Sequence, residues 1–312
     1  MTVPSDLTFM AQPGEAADWR MVVLCDAAAT TGVLDKLPGT AEQLAARTGL
    51  DPQALRVVLD ALVTLDVLDE ADGSFAAGPA APGAADIPRL RHHARALRRW
   101  SASIEPRLRG EPTHDPTFVA DEMFHDALAA NARKVAPELV DACLSRFPDA
   151  RSVLDLGGLH GEYALEFTRR GLRATMQDKP EVIDIVQRRG GLGAAGVALF
   201  EGSFFETVPE GPFDLAFCSG ITHTFGPEGN MALYRNLRRI VSPDGGVAVV
   251  TFLRGRNPLT ALFAVQMLLN DNGGDTHTEE EYRIWLGEAG FAVDDAVLDL
   301  PGQGARSVLF AT

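Results

Sequence analysis

"VLDLGGLHGEYA", residues Val153 to Ala164, decides how the second half of this chain folds. A short apolar run ends on an acid, Asp155. Gly157 and Gly158 follow, and Gly161 stands just ahead of a helix-forming segment. A strand that runs into close-set glycines and then a helix makes a ligand-cradling turn, because backbone without a Cβ lets a ligand approach closely. The order here is D-x-G-G-x-x-G, whereas pyrophosphate-binding sites read G-x-G-x-x-G. An acid at the strand end favours a cationic ligand over a pyrophosphate.

Working outward, apolar strand-like runs alternate with amphipathic helical runs from Arg151 onward. Strands are expected at "SVLDL", "RATMQ", "GVALF", "FDLAFC", "GVAVVTF", "AVDDAVL" and "ARSVLFA". Helices are expected at 161–170, 180–189, 228–241 and 278–289. This pattern predicts an α/β fold, a doubly wound and mainly parallel sheet. Ligands of such sheets sit at the carboxyl ends of the strands, where Asp155 to Gly161 fall. The second strand ends in "QDKPEV". Asp178 follows Gly161 by 178 − 161 = 17 residues, where a carboxylate can accept both hydroxyls of a ribose. It could instead cap the helix starting at Pro180. A nucleoside with a cationic tail and no phosphate is S-adenosylmethionine.

The first 88 residues read differently. "WRMVVLCDAAATTGVLDKL" and "TAEQLAARTGL" are helical, and "DPQALRVVLDALVTLDVL" begins with an Asp51 cap and Pro52 in its first turn. "LDEADGSFAAG" is a hairpin around Asp72-Gly73. Three helices and a hairpin make a winged helix, which raises the question of DNA. Residues 1–88 hold four Lys/Arg and thirteen Asp/Glu, a balance of 4 − 13 = −9. Phosphate repels such a surface, so the expectation is a dimerisation domain in a homodimer and no nucleic-acid partner. The whole chain, at −15, points the same way.

A Pro/Gly/Ala-rich break, "GPAAPGAADIP", leads into an Arg-rich helical stretch from Arg89 to Arg109. It reads as a solvated face, with Trp100 and an inward arginine as candidates for a pocket wall. The organisation expected is therefore residues 1–88 as winged helix, 89–150 as a helical linker contributing to the substrate pocket, and 151–312 as the ligand-binding α/β domain. No run is apolar enough to cross a membrane. The beginning, "MTVPSDLTFMAQPGEA", lacks a secretory pattern, and Cys25, Cys143 and Cys218 form no CxxC pair. A cytoplasmic, membrane-free protein is expected.

The motifs together resemble the S-adenosylmethionine-dependent O-methyltransferases that carry an N-terminal winged-helix dimerisation domain, the caffeate and acetylserotonin type found also in antibiotic biosynthesis. "VLDLGGLHGEYA" is similar to the family's first motif and "QDKPEVI" to its ribose motif. "GSFFETVPEGPFDLAF", "LRRIVSPDGGVAVVTF" and "GGDTHTEEEYRIWLGEAGF" are similar to later ones in the same order. The resemblance implies a cofactor site of Asp155, Gly157, Gly158, Gly161, Asp178, Ser203, Phe204 and Ser219, with the amides of Gly157 and Gly158 available. Leu159 stands where a small residue is usual, and Ser203 where an Asp meets the adenine.

The resemblance also places His223, in "CSGITHTFG", as the general base that takes a proton from a substrate hydroxyl. Its usual support differs here. Thr224 follows it instead of Asp, and Thr251 and Thr276 stand where two glutamates orient the imidazole. Trp100, Met123, Phe124, Phe225, Phe263 and Met267 are the implied lining for a small-molecule substrate of specialised metabolism. Two alternatives remain open. His277, in "GDTHTEEEY", could join His223 in holding a divalent or ferric ion that chelates a 2-oxo acid for C-methylation. Alternatively, the chain could bind the cofactor without methylating, in a pericyclic or other role.

Overall fold

The computed structural model describes residues 19–112, 122–269, 273–300 and 306–312. The chain divides into two compact units, Met1–Ala102 and Ser103–Thr312. In the first, α1 (Trp19–Thr30), the short strand β1 (Gly39–Thr40), α2 (Ala41–Thr48) and α3 (Pro52–Thr64) precede a hairpin of β2 (Leu68–Ala71) and β3 (Ser74–Ala77). The helix starts follow from local chemistry. Thr40 and Gln43 form a reciprocal capping box on α2, and Asp51 accepts the Ala54 amide ahead of Pro52 on α3. The hairpin turns at Asp72 and Gly73, with φ of 51° and 77°, the left-handed pair a two-residue turn requires. β3 pairs with both β1 and β2. Leu44, Leu59, Leu62 and Phe75 close the core of this winged-helix unit. Helix α4 (Ile87–Leu108) follows. Its Arg98 bonds the carboxylate of the buried Asp26 on α1 at 2.7 Å.

The second unit begins with α5 (Glu122–Arg146), then alternates: β4 (Ser152–Leu156), α6 (Glu162–Arg169), β5 (Arg173–Asp178), α7 (Pro180–Arg189), β6 (Ala198–Glu201), β7 (Phe213–Ser219), α8 (Pro227–Ile240) and β8 (Val241–Thr251). α9 (Leu259–Leu268), α10 (Glu279–Glu288), β9 (Leu298–Asp299) and β10 (Ser307–Ala311) complete it. The sheet order is β6-β5-β4-β7-β8-β10-β9, parallel from β6 to β8. β10 runs antiparallel to both its neighbours. α5, α6 and α7 bury one face around Leu139, Phe167, Met176 and Phe217, while α8 and α10 bury the other around Leu237, Tyr234, Val249 and Tyr282. This is the doubly wound, mainly parallel sheet expected from the sequence.

Two local expectations change. "AVDDAVL" is not a strand: it keeps a single bridge, Val293 to Ala311, and only Leu298 joins β9. Arg283 donates to the carbonyls of Asp294 and Asp295, so a side chain occupies backbone acceptors that a longer ladder would need. "LTALFAVQML" forms α9, which was not expected. Its apolar residues surround the helix, leaving no period to distinguish helix from buried strand.

Candidate active site

Because β4, β5, β7 and β8 are parallel, their carboxyl ends share one edge of the sheet. Asp155 comes next to last in β4, central in that edge, and is 1% exposed. Neither of its carboxylate oxygens has a well-formed hydrogen-bond partner. Burial, opposed in part by the Ala164 amide and reinforced by the Asp178 charge, pushes its carboxyl up to about 7. Asp178 ends β5. Its Oδ1 accepts the Lys179 amide at 2.8 Å and its Oδ2 accepts the Leu159 amide at 2.9 Å. Burial outweighs these bonds and raises it to about 6. Two buried carboxylates on adjacent strands are costly unless a cation or hydroxyl donors reach them.

The loop over them depends on its glycines. A Cβ at Gly158 would come within 2.7 Å of both Asp155 Oδ2 and Met176 Cγ. Gly161, at φ 73°, packs on the methyl groups of Leu192 and opens α6. Leu159 is left-handed at φ 46°, a conformation that costs a branched side chain about 1–2 kcal/mol. Its amide bond to Asp178 and its packing against the core hold it there. One expectation needs correction: the Gly157 amide is not available, since it donates to the Gln177 carbonyl at 2.9 Å and prolongs the ladder. His160, next in the loop, accepts the Glu162 amide at Nδ1. Burial first, then the charges of His125, Arg306 and Arg133, hold it below the usual histidine range.

Ser203 lies in the turn after β6, half-buried, with its hydroxyl 3.3 Å from the Phe205 amide. Phe204 is a core residue packed edge-on to Phe225 at 6.4 Å. Ser219 closes β7 beside Val250.

His223 sits in a single turn of 3-10 helix, Thr222–Thr224, just after β7, and is 6% exposed. Phe263 meets its ring edge-on at 4.6 Å, and Phe252 lies at 5.9 Å and stacks on Phe263 at 4.0 Å. Met267 lies one turn further along α9 and is also buried. The Nδ1 of His223 has no hydrogen-bond partner. The two threonines in the orienting positions are engaged elsewhere. Thr251 and Thr222 both bond the Tyr282 hydroxyl, at 3.1 and 2.9 Å, and Thr276 faces Arg254 Nε at 3.5 Å. Burial, then the charges of Arg306 and His277, depress His223 to about 3.

His277 has a different role. Its Nε2 bonds the Phe225 carbonyl at 2.9 Å, and its ring lies edge-on to Trp285 at 4.8 Å. In the shared-metal alternative His277 has one ring nitrogen bonded to backbone 52 residues away, an arrangement that metal-bound histidines also show. Among the described residues no three His, Cys, Asp or Glu side chains gather as a ligand set. Asp275, beside it, pairs with Arg254. A cavity of about 360 Å³ opens along the start of α9, lined in part by Arg254, Asn257, Thr260, Ala264 and Thr276.

Of the expected lining, Phe263 packs on His223, and Met267 is buried one turn further along α9. Phe225 lies with Phe204 and Phe205. Phe124 is half-buried on α5, Met123 is on α5 with a side chain outside the described residues, and Trp100 is on α4 in the first unit. Phe252, Tyr282 and Arg306 were not anticipated. Nothing in their sequence surroundings marks them, since each reaches the site from a separate element.

Residues 112–292 match the sequence profile of the O-methyltransferase domain. The 3-amino-4-hydroxybenzoate 4-O-methyltransferase of Streptomyces cremeus is 30% identical, over 88% of this chain and 82% of its own. The chain belongs to the O-methyltransferase family. It is a methyltransferase, an enzyme of a family that works with S-adenosylmethionine. The phenazine O-methyltransferase of Lysobacter antibioticus is 26% identical over 86% of each chain. The fold of this methyltransferase also matches solved structures. The mitomycin 7-O-methyltransferase structure superposes with a TM-score of 0.75 at 24% identity, covering 94% of both chains. Human N-acetylserotonin methyltransferase, solved with S-adenosylmethionine, gives 0.75 at 20% identity over 94% of each. No helix among the described residues is long and apolar enough to cross a membrane.

Proposed function

We propose that this methyltransferase transfers the methyl group of S-adenosylmethionine to a hydroxyl oxygen of a small molecule of specialised metabolism. The observation that carries the reading is the pair of buried carboxylates at the ends of β4 and β5. Asp155, without a partner, fits an ammonium group. Asp178 retains a free lone pair on each oxygen for ribose hydroxyls, since each accepts only one backbone amide. Gly158 and Gly161 keep the loop low over them, and the Ser203 hydroxyl can meet the adenine edge. When bound, the cofactor supplies a methyl group on a positively charged sulfur.

The chain's own work is then positioning. In-line attack needs the acceptor oxygen held close to the methyl carbon, and bound geometry supplies much of the rate. His223 is placed at the acceptor oxygen. Phe252, Phe263 and Met267 exclude water around it, with Phe124 and Phe225 proposed as further lining. The relatives support the class of acceptor, since those named act on an aminohydroxybenzoate and a phenazine. A homodimer built through the acidic winged helix is part of the same proposal.

Incubation with deuteromethyl-labelled cofactor and a panel of hydroxylated aromatics tests the reading by mass spectrometry. One labelled methyl on an oxygen is expected. Label found only on carbon, or a cofactor that binds with no transfer to any member, would count against it.

A further inference from the structure

The inference concerns what His223 can do at the acceptor oxygen, and it rests on the O-methyl transfer reading above. A neutral imidazole carries one N–H, and its place follows from the partners of the ring. Nδ1 of His223 is buried with no acceptor to receive a hydrogen. The proton therefore belongs on Nε2, and the ring presents a donor to whatever lies before it. To act as a base, Nε2 would have to take a proton while Nδ1 carried another with no acceptor. Base action would bury an imidazolium charge whose Nδ1–H has no acceptor, which costs more than the bare lone pair of the neutral ring.

The residues around the ring reinforce this. The positions that could bring a carboxylate to Nδ1 are Thr251 and Thr276, whose hydroxyls face Tyr282 and Arg254. Asp275 gives its amide to the His223 carbonyl but its carboxylate to Arg254. From just before β10, Arg306 lies over the Phe252 ring at 5.5 Å. Among the described residues no carboxylate pairs with it. His277 and Arg306 are the titratable groups whose charge reaches His223, and both act against a proton on it. The positive field of Arg306 extends to His160 in the cofactor loop as well. A donor N–H inside a positive field, walled by aromatic edges, suits an oxygen anion.

We infer that His223 and Arg306 form an oxyanion-receiving site, and that the acceptor is an acidic hydroxyl compound, such as an electron-poor phenol, that binds as its anion. The hydroxyl gives its proton to solvent on the way in. The oxygen then forms the new O–C bond as the donor's S–C bond breaks, and that bond's electron pair stays on sulfur, leaving a neutral thioether. No proton moves within the enzyme during transfer.

The probe is 4-nitrophenol, whose absorption distinguishes phenol from phenolate, titrated into the full chain saturated with S-adenosylhomocysteine. Binding should lower its apparent pKa by at least one unit, and Arg306→Gln should reverse most of that shift in protein still saturated with S-adenosylhomocysteine. In turnover with phenols of graded acidity, kcat/KM should rise with substrate acidity, by less than tenfold per unit because a less basic phenolate is a poorer nucleophile, until the substrate is ionised in solution. His223→Gln should then lower kcat/KM by a similar factor across the whole panel. A bound pKa equal to or above the free value overturns the site. So does a His223→Gln loss that is steeply larger for the weakest acids, because that pattern belongs to a base. Failure of 4-nitrophenol to bind the loaded protein overturns it too. Failure of S-adenosylhomocysteine itself to bind would instead remove the methyltransferase site on which the inference rests.

Discussion

Asp155→Asn should make the ligand-free protein more stable at pH 8 and a poorer binder of its cofactor. Asp155 is buried without a hydrogen-bond partner, and its carboxyl is raised from 3.8 to about 7. A raised acid holds its proton in the folded state at pH values where the unfolded chain has lost it. Its contribution to stability is fully present below pH 4 and disappears as pH rises through 7. Three units at 1.36 kcal/mol each come to roughly 4 kcal/mol of strain from the ionised group above pH 7. Asn has the same shape and does not ionise, but it buries an amide with no acceptor, which takes back about 1–3 kcal/mol. The net gain at pH 8 is of order 1–3 kcal/mol, a few degrees in melting temperature for a unit of this size. At pH 4 the gain should vanish and the variant should be the less stable by about 1–3 kcal/mol. Affinity for S-adenosylhomocysteine should fall about 10- to 100-fold, the value of a charge-assisted bond to the ammonium. Thermal unfolding at the two pH values, with calorimetric titration of each protein, checks both halves. A variant that is destabilised equally at pH 4 and pH 8, or that binds as tightly as wild type, would refute the reasoning.

Tyr282→Phe removes the hydroxyl that Thr222 and Thr251 share, leaving two buried hydroxyls without their partner. Urea unfolding should show a loss of about 1–3 kcal/mol, and an unchanged midpoint would mean the bridge contributes nothing. His277→Ala deletes the bond to the Phe225 carbonyl and the contact with Trp285, and should cost about 2–4 kcal/mol. Chelator should leave the wild-type melting temperature where it is. A wild type that loses stability to chelator while His277→Ala does not would favour a shared metal instead.

The fold was legible where a single segment carries its own instructions. "SVLDL" before the glycines, the Asp72-Gly73 turn and the Thr40 and Asp51 caps all follow from neighbours within a few residues. What escaped the sequence depends on distant partners. Arg283, on α10, takes the carbonyls of Asp294 and Asp295 that would extend the pairing of "AVDDAVL". Leu159 was visible as an unusual residue, but the carboxylate that holds its left-handed backbone belongs to the next strand. The bond from His277 to the Phe225 carbonyl could not be read from the sequence, because the two stand 52 residues apart. The aromatic and cationic surround of His223 comes from the residue after β8, from α9 and from the residue before β10, so no motif spells it.

The central claim is a cofactor seated across the ends of β4 and β5. A crystal structure of the full chain grown with S-adenosylhomocysteine tests it most directly. The account predicts ribose hydroxyls on the Asp178 carboxylate, the ammonium toward Asp155, adenine beside Ser203 and sulfur facing the His223 pocket. Nucleoside density away from Asp178, or an Asp155 carboxylate still buried without a partner while the ligand is bound elsewhere, would contradict it.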